Sequence, residues 1–168
     1  LSEDHGFAPD FDNHQMLYRP LFMTSFLLED YFRDNDFFGA TQIILGSASS
    51  KTAFGLAFML QQSPQVRVIG LTSSGNRAFV ENLGLYHEVL TYDQVESVSH
   101  TPSAYVDMAG NREVLSRLHH HLQDNMVNSC GVGVTHWESR DGEAPDSLPG
   151  AKPSMFFAPS QIIKRNEE

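Results

Sequence analysis

The chain has 168 residues, 40% of them hydrophobic and 12 of them Phe, which suits one globular domain with a real core and excludes disorder. A formal charge of −10 argues against nucleic acid or an anionic membrane as general partners. One cysteine excludes an internal disulfide framework, no apolar run approaches the roughly 20 residues of a membrane span, and no secretory pattern opens the chain, so a cytoplasmic protein is expected.

Residues 1–14 carry four acids and a proline and read as an exposed arm or linker. The stretch 20–33, PLFMTSFLLEDYFR, predicts a helix that starts at Pro20 and carries Phe22, Phe26 and Leu27 at helical spacing. A short apolar run, Ile43, Ile44 and Leu45, predicts the first strand. The small residues Gly46 to Ser50 turn the chain into a helix whose Phe54, Leu56, Ala57, Phe58 and Leu60 leave little polar surface. Further strands are expected at 66–71, 87–92, 104–107, 126–130 and 154–158. Helices are expected at 77–83 and 111–122, the latter capped by Asn111, with a short helical turn at 93–97. Residues 139–153 read as loop, and the chain trails away from Gln161. Six strands alternating with helices imply a parallel, doubly wound α/β sheet in three layers, with strand order 3-2-1-4-5-6. The expected organisation is one domain over 15–165 and a tail at 166–168.

In such a sheet ligands sit at the carboxyl ends of the strands. The turns at 46–52, 72–77, 107–110 and 130–137 are therefore the places for chemistry. The first turn offers Ser49, Ser50 and Thr52 at a helix N-terminus, with Lys51 adding a full positive charge. These suit a phosphate, although small residues at such a turn also serve packing alone. Ser50-Lys51-Thr52 copies the end of a P-loop, but a serine replaces its second glycine and Gly46 stands one position too close. The second turn carries Thr72, Ser73, Asn76 and Arg77, with no acid before Glu81. Given a dinucleotide fold, donors without a carboxylate suit the 2′-phosphate of NADP rather than the bare ribose of NAD. The alternative is a polar surface turn with an incidental arginine. Asp107 ends the fourth strand, where it would either hold Mg²⁺ in a P-loop protein or cap the next helix. His119, His120 and His121 are consecutive on a helix and cannot converge on one ion, so a solvated face is expected and no metal site. Cys130 reads as packed and inert, and His136-Trp137 either packs or walls a pocket.

The runs IILGSASSKTAFGLAFML, VIGLTSSGNRAFVENLGLYHEVLTYD, AYVDMAGNREVLSRL and NSCGVGVTHW together resemble the cofactor domain of medium-chain dehydrogenases/reductases, nearest the zinc-independent quinone reductases. With YRPLFMTSF and FFAPSQIIKR added, the chain resembles an uncharacterised bacterial and fungal family beside them, over residues 15–165. The resemblance implies a Rossmann fold, NADP(H) binding, and a catalytic domain outside this chain. It implies pyrophosphate at Ser49, Ser50 and Thr52, and ribose phosphate at Thr72, Ser73, Asn76 and Arg77. It also implies ribose or nicotinamide at Asp107, Gly110, Gly131 and Gly133. The first turn departs from the family in carrying serines and Thr52 where glycines stand. Side chains there either obstruct the backbone's approach to pyrophosphate or supply hydroxyl donors instead. A hydride-transferring reductase domain, a nucleotide-binding module without turnover and a P-loop hydrolase all remain open. The uncharged strand at 154–158 lies at the expected sheet edge and suits pairing in a homodimer.

Overall fold

In the computed structural model, which describes residues 12–132 and 147–167, β1 (Gln42–Leu45) is buried along its whole length. It pairs in parallel with β2 (Arg67–Thr72) and β4 (Ser103–Asp107), placing Ile44 opposite Ile69 and Tyr105. Outward from these lie β3 (Glu88–Thr91) on one side, and β5 (Met126–Val132) and β6 (Ser154–Phe156) on the other. The order is β3-β2-β1-β4-β5-β6, as the alternation of elements predicts. Two hydrophobic layers follow from the period of two along each strand. Ile43, Leu45, Val68, Ala104 and Val106 face α1 (Asp12–Asp34) and α2 (Lys51–Leu60) through Leu28, Phe32 and Leu56. Ile44, Ile69, Leu71 and Tyr105 face α4 (Arg112–Leu122) through Val114, Leu115, Leu118 and Leu122. Between β2 and β3 lies α3 (Arg77–Asn82), and α5 (Ala158–Glu167) follows β6. Among the described residues no helix is long and apolar enough to cross a membrane.

The first helix begins at Asp12, well before Pro20, where the sequence reading starts it. Inside the helix Pro20 only removes one backbone bond. The Ser25 hydroxyl lies 2.9 Å from the Thr52 carbonyl and 3.0 Å from the Leu21 carbonyl. A Cβ on Gly55 would come within 2.8 Å of that hydroxyl, so the glycine is what lets α1 lie close against the first turns of α2. Between α1 and β1 the chain passes through Asp36, Phe37 and Phe38, all left-handed. Such residues cost roughly 1–2 kcal/mol each, a strain opposed by the burial of Phe37 in the core.

Three other departures from the sequence reading have local causes. β6 ends at Phe156, because Ala158 and Pro159 start α5, where a proline N–H would be unpaired anyway. Residues after Gln161 are thus helix rather than tail. The Gln161 amide donates to Asp30 at 2.7 Å and to Asp34 at 3.0 Å, and Lys164 pairs with Asp34 at 2.7 Å, fastening α5 to α1. β5 runs two residues past Cys130, so Gly131 and Val132 pair with Met155 and Phe156 instead of turning.

The histidine triplet is not one solvated face. Successive helical residues point 100° apart, and His119 is 0% exposed. One of its ring nitrogens, Nδ1, lies 2.8 Å from the Pro149 carbonyl and the other, Nε2, 3.0 Å from the Ser129 hydroxyl. A carbonyl only accepts, so Nδ1 carries the proton and Nε2 accepts from Ser129. His121 lies 2.8 Å from the Val98 carbonyl, and no metal-binding group occurs among the described residues. Burial holds the His119 pKa below its usual value, against the opposing pull of the Pro149 bond. A depressed folded-state pKa means that the unfolded chain takes up the proton first. Stability should therefore be full above the ordinary histidine value of about 6.5 and decline as pH falls below it. Urea unfolding between pH 8 and 5 should show this decline in the wild type and a flatter profile in His119→Leu. That variant should also lose about 1–3 kcal/mol at pH 8 by orphaning both partners. Parallel profiles would assign the pH dependence to other groups.

Candidate functional site

The first turn spans five residues between β1 and α2. Val106 accepts the Gly46 N–H at 2.9 Å, and a Cβ on Gly46 would lie 2.8 Å from the Tyr105 hydroxyl. Ser47 is left-handed, with φ of 53°, and its N–H reaches the Tyr92 hydroxyl at 3.2 Å. Ala48 donates to Leu71 at 2.9 Å, and its own carbonyl accepts from the Tyr86 hydroxyl at 2.8 Å. Ser50 donates its N–H to Ser47 at 2.8 Å and caps α2, its hydroxyl accepting from Ala53 at 3.3 Å. Four of the turn's N–H groups are thus bonded inside the protein. The turn presents hydroxyls and the start of α2 outward, rather than an open ring of backbone donors.

The second turn meets the first. Asn76 donates to the Ser49 hydroxyl at 3.2 Å. Ser73 and Asn76 are exposed, whereas Thr72 is 1% exposed, its side chain packed at the end of β2. Arg77 donates through Nε to Glu81 at 2.8 Å and through Nη1 to Gln94 at 3.3 Å. The first acid after the second turn therefore holds its arginine, because Arg77 and Glu81 sit one helical turn apart on α3.

Asp107 is 2% exposed, and its Oδ1 accepts from Ala109 at 3.0 Å and from Gly110 at 2.8 Å. It closes its own turn, which Gly110 completes in a left-handed conformation, while Asn111 caps α4 through Val114. Burial and, secondarily, the Asp107 charge push the Cys130 thiol up to about 12, leaving it protonated and inert. Gly131 lies within β5, where a Cβ would stand 3.1 Å from the Met155 sulfur. Gly133, His136 and Trp137 lie outside the described residues.

A crevice of about 420 Å³ opens at the carboxyl ends of the strands, where the strand order reverses between β1 and β4. Ser50 lines it from the first turn, Thr52 from the start of α2, and Met108 and Val132 from the ends of β4 and β5. Thr24 of α1 and Phe157 also line it, and among the described residues no charged side chain does. Thr24 and Phe157 escape the sequence reading, since only folding brings the start and end of the chain to this crevice. Lys51 does not line it. Lys51 lines a separate apolar groove of about 310 Å³, together with Phe22, Phe54 and Phe58 of α1 and α2.

Against this geometry, comparison with known proteins yields one sequence family. The chain belongs to the family described as "Protein of unknown function (DUF2855)". The match covers residues 1–168. No curated protein matches it. Among solved structures it is similar to the CurK enoyl reductase, with a TM-score of 0.55 at 12% identity over 74% of this chain and 39% of that one. It is also similar to a mutant enoyl thioester reductase from Candida tropicalis, with a TM-score of 0.50 at 13% identity over 77% and 39%. A quinone oxidoreductase from Coxiella burnetii gives a TM-score of 0.49 at 19% identity over 68% and 34%. The chain therefore spans between a third and two-fifths of the length of these proteins. At such identities the likeness shows the fold, a Rossmann-like parallel α/β sheet.

The packing of Tyr105 beneath Gly46 is directly testable. Gly46→Ala should cost about 1–3 kcal/mol by overpacking. Combined with Tyr105→Phe it should cost clearly less than the sum of the two single variants, because the obstructing oxygen is gone. Additive losses in urea denaturation would show that the hydroxyl is not the obstacle.

Proposed function

We propose that this chain is the nucleotide-binding part of an oxidoreductase whose cofactor is NADP(H). The observation that carries the reading is the crevice between the start of α2 and the ends of β4 and β5, which no charged side chain lines among the described residues, beside a first turn joined to a donor-rich second turn through Ser49 and Asn76. The residues fit a dinucleotide in three parts. Ser49, Ser50 and Thr52, at the start of α2, hold the pyrophosphate with hydroxyls and the helix N-terminus, and Lys51 adds long-range charge from the adjoining groove. Ser73, Asn76 and Arg77 hold the 2′-phosphate, and buried Thr72 supports their turn. Asp107, Gly110 and Gly131 are assigned to the ribose and nicotinamide, beside the uncharged Met108 and Val132 of the crevice, and Gly133, outside the described residues, joins them by the resemblance alone. When bound, the nicotinamide supplies a hydride for an electrophilic carbonyl or quinone carbon, whose oxygen takes a proton. A further catalytic domain supplies the rest of the substrate wall.

The alternative of a binding module without turnover uses the same residues and differs only in that further domain. Two observations weigh against a P-loop hydrolase. Asp107 is committed to its own turn, and Lys51 lines the other groove instead of the crevice.

Calorimetry with NADPH, NADH, ATP and GTP tests the reading. NADPH should bind more tightly than NADH, and Arg77→Ala should weaken NADPH by about 1.5–3 kcal/mol while sparing NADH. Glu81→Gln should favour NADPH further by releasing the guanidinium. Equal or reversed affinities would overturn the cofactor assignment, and tight Mg²⁺-dependent ATP or GTP binding would favour the hydrolase.

The same reading includes a homodimer through residues 154–158. β6 is an edge strand among the described residues; its Met155 and the following Phe157 are exposed, the latter at 66%. Light scattering should give twice the chain mass, shifted toward monomer by Phe157→Lys; a wild-type monomer at high concentration would overturn edge pairing.

A further inference from the structure

The segment after β3 carries no expected site residue, yet it touches both turns. Tyr92–Ser97 is a 3-10 turn, with Val95 fully buried beneath it. From its first residue, the Tyr92 hydroxyl accepts the Ser47 N–H at 3.2 Å. From its third, the Gln94 carbonyl oxygen accepts from Arg77 at 3.3 Å, and also from the Thr91 N–H at 3.2 Å and the Thr91 hydroxyl at 3.0 Å. The segment is itself pinned by α4. Arg117 donates to the Tyr92 carbonyl at 2.9 Å and grips Glu96 with two nitrogens, at 2.7 and 2.6 Å. That grip holds the Glu96 carboxyl down at about 2.

We propose that Tyr92–Ser97 is a bracket that positions both nucleotide-binding turns, the first through Tyr92 and Ser47 and the second through Gln94 and Arg77. The inference rests on the NADP(H) reading above and assigns Tyr92 and Gln94 as positioning residues that act through other residues. Its physical basis differs at the two ends. Ser47 occupies a backbone region that is unfavourable for any residue with a Cβ, and such a conformation persists only where its surroundings over-determine it. The Tyr92 hydroxyl is one of those constraints, fixing the direction of the peptide that leads into Ser49 and Ser50. Burial keeps that hydroxyl protonated, so it meets Ser47 as a neutral acceptor. At the other end Arg77 is long and has many rotamers. Its bond to Gln94 holds the guanidinium beside the second turn before any phosphate arrives, which lowers the ordering cost of binding.

The two arms predict different selectivity. Pyrophosphate is common to both cofactors, so Tyr92→Phe should weaken NADPH and NADH alike, by about three- to tenfold for one lost hydrogen bond, and leave their ratio unchanged. Only NADPH has the 2′-phosphate, so Gln94→Met should weaken NADPH by a similar factor and leave NADH unchanged. Adding Ser47→Gly to Tyr92→Phe should restore affinity toward the wild type, because glycine adopts the left-handed conformation without a Cβ penalty. Arg117→Lys, which loosens the bracket without touching either turn, should weaken both cofactors and serves if Tyr92→Phe does not fold. Titration of the full chain with NADPH and NADH reads all four. A wild type that binds neither cofactor overturns the functional reading and the bracket together. A wild type that binds NADPH, with variants indistinguishable from it or with both arms losing both cofactors equally, overturns the bracket alone.

Discussion

Burial of β1 on both faces is the constraint on which the rest of the structure depends. A strand with Ile43 and Leu45 on one side and Ile44 on the other has no face to offer water, so helices must cover both sides. Parallel pairing with β2 and β4 then requires crossovers: the chain leaves β1 through α2 to reach β2, and later returns from β3 to lay β4 on the other side of β1. The result is a crevice above the carboxyl end of β1, with the start of α2 at its edge. The site follows from that geometry before any functional side chain is considered.

The second constraint is polar. The turn above β1 has few glycines, and it is held by groups outside itself: the Val106 and Leu71 carbonyls, and the hydroxyls of Tyr86 and Tyr92. Tyr105 and Asp107 lie beneath it, both almost fully buried. Glycine-rich turns achieve close backbone approach through small size; this one combines serines with a cage of tyrosines. Rigidity of this kind suits a phosphate site, since donors fixed in advance lose less freedom on binding. The same bonds consume backbone donors, and the Ser49 and Ser50 hydroxyls meet Asn76 and the Ala53 N–H at the surface of the turn.

The apolar surfaces carry a related message. Phe22, Phe26 and Phe58 on α1 and α2, and Phe157 beside the crevice, are large and exposed together. Side chains of this size in clusters mark surfaces that meet other surfaces.

The parallel sheet, its strand order and the capped α4 were legible in the chain, because alternating short apolar runs and amphipathic stretches permit few topologies and Asn111 marks its helix locally. So were the turns after β1 and β4 that border the crevice, since strand ends locate them, whereas the turn at 72–77 does not line it and the expected turn at 130 is strand as far as Val132. Other features were decided by contacts between residues far apart. Lys51 borders a different groove because α1 packs against α2, and Arg77 is held by Gln94 as well as by Glu81. His119 is interior because Pro149 and Ser129 enclose it, and the chain's last stretch is helical because Gln161 and Lys164 find Asp30 and Asp34 on α1. Local sequence determines which conformations a segment prefers, and its periodicity determines which face is buried. The partner of a buried hydroxyl, imidazole or guanidinium depends on which distant segment arrives beside it, and only the tertiary structure decides that.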